Sequence, residues 1–370
     1  MATIITIIAF LVIFSLLILV HELGHFLAAK KSDVKVEEFG FGLPPRAWGK
    51  KIGETIYSLN WVPLGGFVRM LGQDDMDAKS ADKAGDNPRS YTNKSWWQRF
   101  FILVAGVALN FVMAILLFTI AYSVGCYPLL ESEDYYRTIA TKPQQLTIEE
   151  VLANKPATEK LEKDDLILAI NGISVANNQQ FMELQKRQAG AETVYLIKRG
   201  EEEKQIIITP SKEGEIGVVI ETIVEMDKVR YLPHIALIKG AKETWRISIL
   251  TVKGLGKVVW SIIYRFTVPE GVAGPVGIFK ITSKVAKLGI TPLIQFAALL
   301  SASIGVINIM PFPALDGGRL LFLLIEPVYA AIFGRKHSAQ IEGMIHLIGF
   351  ALLILFILAI TWHDVFVKSF

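Results

Sequence analysis

His21-Glu22-Leu23-Gly24-His25 closes a long apolar run that begins at Ile4. In a helix, residues four apart share a face, so His21 and His25 both offer a ring nitrogen to one ion. Glu22 lies one residue past the first histidine, where it reaches water at the ion and not the ion itself. This is the mechanical content of the H-E-x-x-H pattern: two imidazole ligands for zinc and a carboxylate general base. A lone histidine on an apolar face is more often a satisfied core residue. Two histidines and a glutamate in a membrane-length segment are another matter, because ionisable groups at that depth are costly and mark function. A catalytic zinc site takes a third protein ligand and keeps one position open. The rest of the chain has to supply that donor.

Residues 4–29 make about 39 Å of helix, enough to cross a hydrocarbon core of about 30 Å. Hydrophobic residues are 52% of the 370, which places the chain in the membrane class. A formal charge of +3 with no concentrated basic arm excludes a nucleic-acid partner. The single cysteine, Cys126, excludes an intramolecular disulfide and any thiolate metal cluster. The start of the chain has neither a basic n-region nor a small-residue cleavage pattern, so the first segment is expected to stay in the membrane. Lys30 and Lys31 follow the run and no Lys or Arg precedes it. By the positive-inside rule the N-terminus lies outside and the histidines sit near the cytosolic face.

The expected fold class is a polytopic α-helical membrane protein with four transmembrane helices. Residues 1–31 form the first span and 32–95 a cytosolic loop with a membrane-associated β-hairpin, marked by β-branched and aromatic runs between Gly42, Pro44, Pro45, Gly49 and Gly53. Residues 72–95 read as a mobile loop. The second span covers 96–126, with Trp96 and Trp97 as interfacial anchors and Arg99 on the cytosolic side. Residues 135–225 are charged, with short alternating runs and the tight-turn pair Asn171-Gly172, and read as one small soluble α/β module outside the membrane. Over 235–265, Lys239, Lys242, Arg246, Lys253 and Lys257 fall within a wedge of about 60°. Such an amphipathic helix lies on a membrane surface, or else packs on the soluble module. Residues 271–330 form the third-span region and 344–363 the last span, with both termini outside. Arg335 and Lys336 mark the loop before it as cytosolic, and His346 and His363 read as interfacial.

The third ligand is sought in the broken stretch Asn308-Ile309-Met310-Pro311-Phe312-Pro313-Ala314-Leu315-Asp316-Gly317-Gly318. Irregular backbone at membrane depth is tolerated only where it is buried in protein or lines a cavity. Asp316 is the candidate; Glu326, beside Pro327, is the rival and is expected to be solvated. Gly65, Gly66 and Phe67 in the hairpin offer a backbone edge that holds a substrate as an added strand, or else belong to an ordinary cytosolic hairpin. Asn110, inside the second span, reads as an interhelical hydrogen bond or as a residue of the site.

Taken with Gly274-Pro275-Val276-Gly277-Ile278, these motifs resemble the site-2 proteases, specifically the bacterial regulator-of-sigma-E type. The resemblance covers nearly the whole chain. It implies Zn2+ bound by His21, His25 and Asp316, Glu22 as the activator of water, and Asn308 holding the substrate backbone or the developing oxyanion. It also implies that the hairpin presents an extended substrate, and that the soluble insert is a circularly permuted PDZ module, with 161–175 as the matching segment. The implied activity is intramembrane cleavage of transmembrane segments in membrane-anchored regulators, such as anti-sigma factors, or of remnant signal peptides. The implied partners are single-pass membrane substrates and the lipid bilayer of the bacterial inner membrane. The chain departs from the family at three places. It has room for one PDZ module where two in tandem are frequent, Asp164-Asp165 where the family has Gly-Asp, and Gly106-Val107 where Gly-Pro is frequent. An added carboxylate at Asp164-Asp165 would repel a peptide C-terminus, which favours a module that excludes bulky substrates and an enzyme that acts after a first protease.

Two other functions compete. A catalytically idle membrane adaptor would bind clients through the PDZ module, but it has no use for a general base beside a metal. A transporter would show internal repeats, and the sequence has none.

Overall fold

Helix α1 (Ala2–Lys31) is apolar on nearly every side and ends on Lys30 and Lys31, the charge its C-terminal dipole favours. The computed structural model describes residues 2–73, 87–129, 132, 144–224, 226–265, 273–333 and 339–366. Part of the loop read at 72–95, the start of the stretch at 135–225, and Arg335 and Lys336 lie outside the described residues. The chain divides into two units, Met1–Cys126 with Arg230–Phe370, and Tyr127–Val229.

In the first unit, β1 (Val36–Ile52) and β2 (Thr55–Met70) pair antiparallel, and each doubles back on itself. Phe39 stands opposite both Val68 and Tyr57, and Gly40 opposite both Phe67 and Ser58. The expected two-strand hairpin is therefore a four-rung sheet in the order 46–52, 55–60, 36–43, 62–70, whose outer rung, 62–70, has one pairing edge open. Gly42, at φ 80°, permits the fold-back: a Cβ there would stand 2.5 Å from the Val62 carbonyl oxygen. The Ser15 hydroxyl donates to the Pro63 carbonyl at 2.8 Å, tying the outer rung to α1. Glu54, in the turn between β1 and β2, takes hydrogen bonds from Arg89 and Lys30 that hold its carboxyl down at about 2. Helix α2 (Trp96–Val124) opens with a capping box of Ser95 and Gln98. It crosses α1 at Gly24, where a Cβ would stand 2.3 Å from the Ala105 carbonyl oxygen. Small residues at such crossings are what let membrane helices approach closely.

The second unit holds β3 (Gln144–Val151), β4 (Leu166–Ile170), β5 (Ile173–Ser174), α3 (Asn178–Arg187), β6 (Thr193–Arg199), β7 (Glu202–Ile208) and β8 (Val218–Val224). The sheet order is β7-β6-β4-β3-β8, with β5 paired to β4, and every pairing is antiparallel. Asn171 and Gly172 both have positive φ, as a two-residue hairpin turn demands. Phe181 and Leu184 of α3 close the core over Tyr195 and Ile197. Asp165 is fully buried, bonded twice by Arg199 at 2.7 Å and once by the Glu162 backbone N–H. Its charge is compensated inside the fold, whereas Asp164, the carboxylate added relative to the family's Gly-Asp, is exposed with a φ of 69°.

Helices α4 (Pro233–Arg265), α5 (Pro275–Leu288), α6 (Ile290–Ile309), α7 (Asp316–Phe333) and α8 (Ala339–Phe366) complete the first unit. Among the described residues, four helices are long and apolar enough to cross a membrane: Thr6–Lys31, Trp96–Val124, Ile290–Ile309 and Ile341–Phe366. Helix α4 is no isolated surface helix. Gly240 lies against α2, where a Cβ would be 3.0 Å from the Ile115 carbonyl oxygen, and the Thr251 hydroxyl is 3.1 Å from that of Ser303 on α6. The basic wedge marked one face of α4, and a second face, with Ala236, Gly240, Thr244 and Ile247, packs into the bundle. At the other end of the bundle, fully buried Asp364 of α8 accepts from the backbone N–H groups of Gly274 and Gly277, both at 2.9 Å. A carboxylate from the last helix thus caps the N-terminus of α5.

Glu326 is also corrected. It is 7% exposed, not solvated, and Arg99 of α2 donates to its carboxylate at 2.6 Å. Trp96 Nε1 donates to the Leu323 carbonyl at 2.8 Å beside it. The pair ties α2 to α7, the helix that begins with Asp316. Breaking a buried pair strands the remaining charge at a cost of about 3–5 kcal/mol, whereas replacing both partners is often neutral. Arg99→Met should therefore lower the unfolding temperature in detergent sharply, and Arg99→Met with Glu326→Leu should recover most of it. A double variant as unstable as the single one would show that the pair is not the tie.

Candidate metal centre

Helix α1 places His21 and His25 one turn apart, with ring centroids 4.8 Å from each other and both residues under a tenth exposed. Asp316 reaches them from the far end of the sequence. After α6 the prolines at 311 and 313 break the helix, Ala314 turns back at φ 82°, and α7 starts on Asp316. Gly317 makes the tight return possible: a Cβ there would stand 2.2 Å from the Met310 carbonyl oxygen. The result is convergence of three donors. Asp316 Oδ2 lies 2.9 Å from His21 Nε2 and 3.1 Å from His25 Nε2, and the two nitrogens are 3.1 Å apart. Among the described residues these three form the group whose ligand atoms lie close enough for one ion.

The surroundings orient the rings. His25 Nδ1 lies 2.8 Å from the Ile102 carbonyl oxygen. A carbonyl only accepts, so Nδ1 carries the proton and Nε2 presents its lone pair to the centre. His21 Nδ1 faces the Asn110 amide, whose nitrogen is placed 3.2 Å away and whose oxygen has no partner. Amide oxygen and nitrogen are interchangeable in shape. Turned over, Asn110 accepts the Nδ1 proton, satisfies its own oxygen and frees His21 Nε2 for an ion. Ser301 fixes this asparagine by donating to its backbone carbonyl at 2.8 Å. Asn110, which the sequence left between two readings, belongs to the surroundings of the site. Gly106 completes the cradle, since a Cβ there would stand 2.4 Å from His25 Nε2 and 2.9 Å from His21 Cε1.

The other residues singled out by sequence fall around this centre. Asn308 Nδ2 is 3.4 Å from His21 Nε2. Glu22 stands beside Val68 of the outer rung. Gly66 runs close by, a Cβ on it falling 3.8 Å from Glu22 Cγ, and Gly65 faces Ile18. Phe67 points elsewhere, over Gly40. Two imidazoles and a carboxylate, with no thiolate, fit zinc of the catalytic kind, which keeps a further position open. One residue near the site was misread. His346, expected at an interface, is half-buried and accepts a hydrogen bond from the Ala314 N–H at 3.0 Å.

A membrane protein that turns two histidines and an aspartate onto one point, with a glutamate alongside, has the chemistry of a membrane metallopeptidase. Comparison with known proteins gives that class its family. A model of peptidase family M50 matches residues 9–356, and the chain belongs to that family. A relative in Clostridium acetobutylicum, whose name proposes a zinc metalloprotease, is 33% identical over 95% of both chains. The zinc metalloprotease RasP of Geobacillus kaustophilus is 29% identical over 97% of both. The regulator of sigma-W protease RasP of Bacillus subtilis is 28% identical over 97% of this chain and 98% of its own. The protein is a zinc metalloprotease whose substrates are membrane proteins.

Proposed function

We propose that this protease cuts membrane-spanning segments of anchored regulators, or remnant signal peptides, using His21, His25 and Asp316 as zinc ligands. The observation that carries the reading is the open edge of rung 62–70 beside Glu22, where a Cβ on Gly66 would fall 3.8 Å from Glu22 Cγ. A peptide bond inside a helix is shielded, so the substrate has to be unwound before attack. An extended segment adding to this edge gains main-chain hydrogen bonds in exchange for its helical ones. Zinc, when bound, supplies a Lewis acid that polarises water and the scissile carbonyl. Glu22 takes the proton of the attacking water and returns it to the leaving amine. Asn308, whose Nδ2 lies 3.4 Å from His21 Nε2, donates to the oxygen that gains charge.

The second unit is PDZ-like in this reading. A cavity of about 320 Å³ runs between α3 and the free edge of β8, lined by Phe181, Met182, Gln185, Ile216, Val218 and Ile220. The membrane is the bacterial inner membrane, with both termini and the module outside, as the lysine asymmetry around α1 supports. The printed name of the Bacillus relative, a regulator of sigma-W protease, supports regulators as the substrate class. In this reading the enzyme acts after a first protease has removed a bulky external domain from the substrate.

Reconstitution in liposomes tests this. A single-pass substrate trimmed to a stub should be cut within its membrane-spanning segment, with the site mapped by mass spectrometry. Cuts confined to the soluble flanks would contradict the reading. Deleting 135–225 with a short linker should make an untrimmed substrate cleavable while the stub is cut as before. A deletion variant that cuts the stub and still rejects the untrimmed protein would end the gating idea.

A further inference from the structure

We infer that His346 is a positioning residue of the metal centre, holding the turn that delivers Asp316. The inference rests on Asp316 being the third ligand. The turn at 310–315 is poor in its own bonds, because two of its residues are prolines without N–H groups. Phe312 donates to the Met310 carbonyl at 2.7 Å and Leu315 to the Phe312 carbonyl at 3.1 Å. The N–H of Ala314 instead leaves the turn and donates to His346 Nδ1 on α8 at 3.0 Å. Ala314 is the residue that needs holding: its φ of 82° lies in the left-handed region, which disfavours a side chain. It stands two residues before Asp316, so relaxation there would swing the carboxylate away from both histidines.

Helix α8 is shaped for this contact. Gly349 is one turn past His346 on the same face, and a Cβ there would be 2.3 Å from Pro313 Cβ and 2.7 Å from its carbonyl oxygen. The helix therefore touches the turn at two successive residues, Pro313 by shape and Ala314 by hydrogen bond. Phe322 of α7 lies against the imidazole, with ring centroids 5.7 Å apart, and limits its rotation. Because Nδ1 accepts, the ring proton sits on Nε2, the nitrogen on the side of Glu342, whose Oε1 is 3.9 Å away.

The test uses a difference in reach between two amides. An asparagine at 346 places its amide oxygen where Nδ1 was, whereas a glutamine places it near Nε2 and cannot accept from Ala314. Zinc affinity of the purified full-length protein, measured by chelator competition, is the readout. Outer-shell changes typically cost 10–100-fold in metal affinity, so His346→Gln and His346→Ala should weaken zinc binding by about that factor. His346→Asn should stay within about threefold of wild type. Asparagine as weak as glutamine, or all three variants binding zinc like wild type, would overturn the assignment. If alanine does not fold, the glutamine and asparagine pair still decides. Asp316→Asn separates the two levels of the argument. If it loses zinc while His346→Gln does not, only the positioning role fails. If Asp316→Asn keeps zinc, the ligand set itself fails.

Discussion

Glu22→Gln is expected to retain zinc and lose peptide cleavage by about 10²–10⁴-fold, the usual contribution of a general base. The substitution preserves shape, so the outer rung that runs beside this side chain has no reason to move. What disappears is basicity. The zinc donors are His21, His25 and Asp316 in this account, so removing Glu22 takes away no ligand. The expected signature is a fall in kcat with little change in KM and a full metal content. A variant that cleaves at near wild-type rate would remove Glu22 from the chemistry. A variant that loses zinc together with activity would place it among the ligands instead.

Asp316→Asn is expected to weaken zinc binding by roughly 10²-fold or more, beyond the cost typical of an outer-shell change. A neutral amide oxygen is a poorer donor to a divalent ion than a carboxylate. Glu326, the other intramembrane acid considered from sequence, is engaged with Arg99 at 2.6 Å. Glu326→Gln should therefore lower thermal stability and leave zinc affinity unchanged. Calorimetry and chelator competition on the two variants read these effects separately. Zinc loss in Glu326→Gln with retention in Asp316→Asn would reverse the assignment.

Much of this organisation was legible in the chain because its signals are local. The apolar stretches are long enough to identify four helices that can cross a membrane, and H-E-x-x-H needs only one turn of helix to bring two rings together. The prolines and glycines at 311–318 announce a broken backbone wherever they occur in a span. The misreadings share a physical cause, which is a partner far away in sequence. Glu326 looked solvated because Arg99 lies 227 positions upstream. His346 looked interfacial because its partner, Ala314, belongs to another helix connection. Helix α4 was read from its basic wedge alone. Its packed face contains Gly240, Thr244 and Thr251, residues too small and polar to stand out as a core stripe, yet suited to close helix contact. The signal for Asn110 was a buried amide in a span; what singles it out is its position opposite His21.

X-ray absorption at the zinc edge tests the central claim most directly, on the purified wild type beside Asp316→Asn. The account predicts two imidazole nitrogens at about 2.0–2.1 Å and carboxylate oxygen at about 2.0–2.2 Å in the wild type, with no sulfur. In the variant the carboxylate contribution should be lost while any remaining zinc keeps both imidazoles. A sulfur ligand, a single imidazole, or a shell unchanged by the substitution would contradict it.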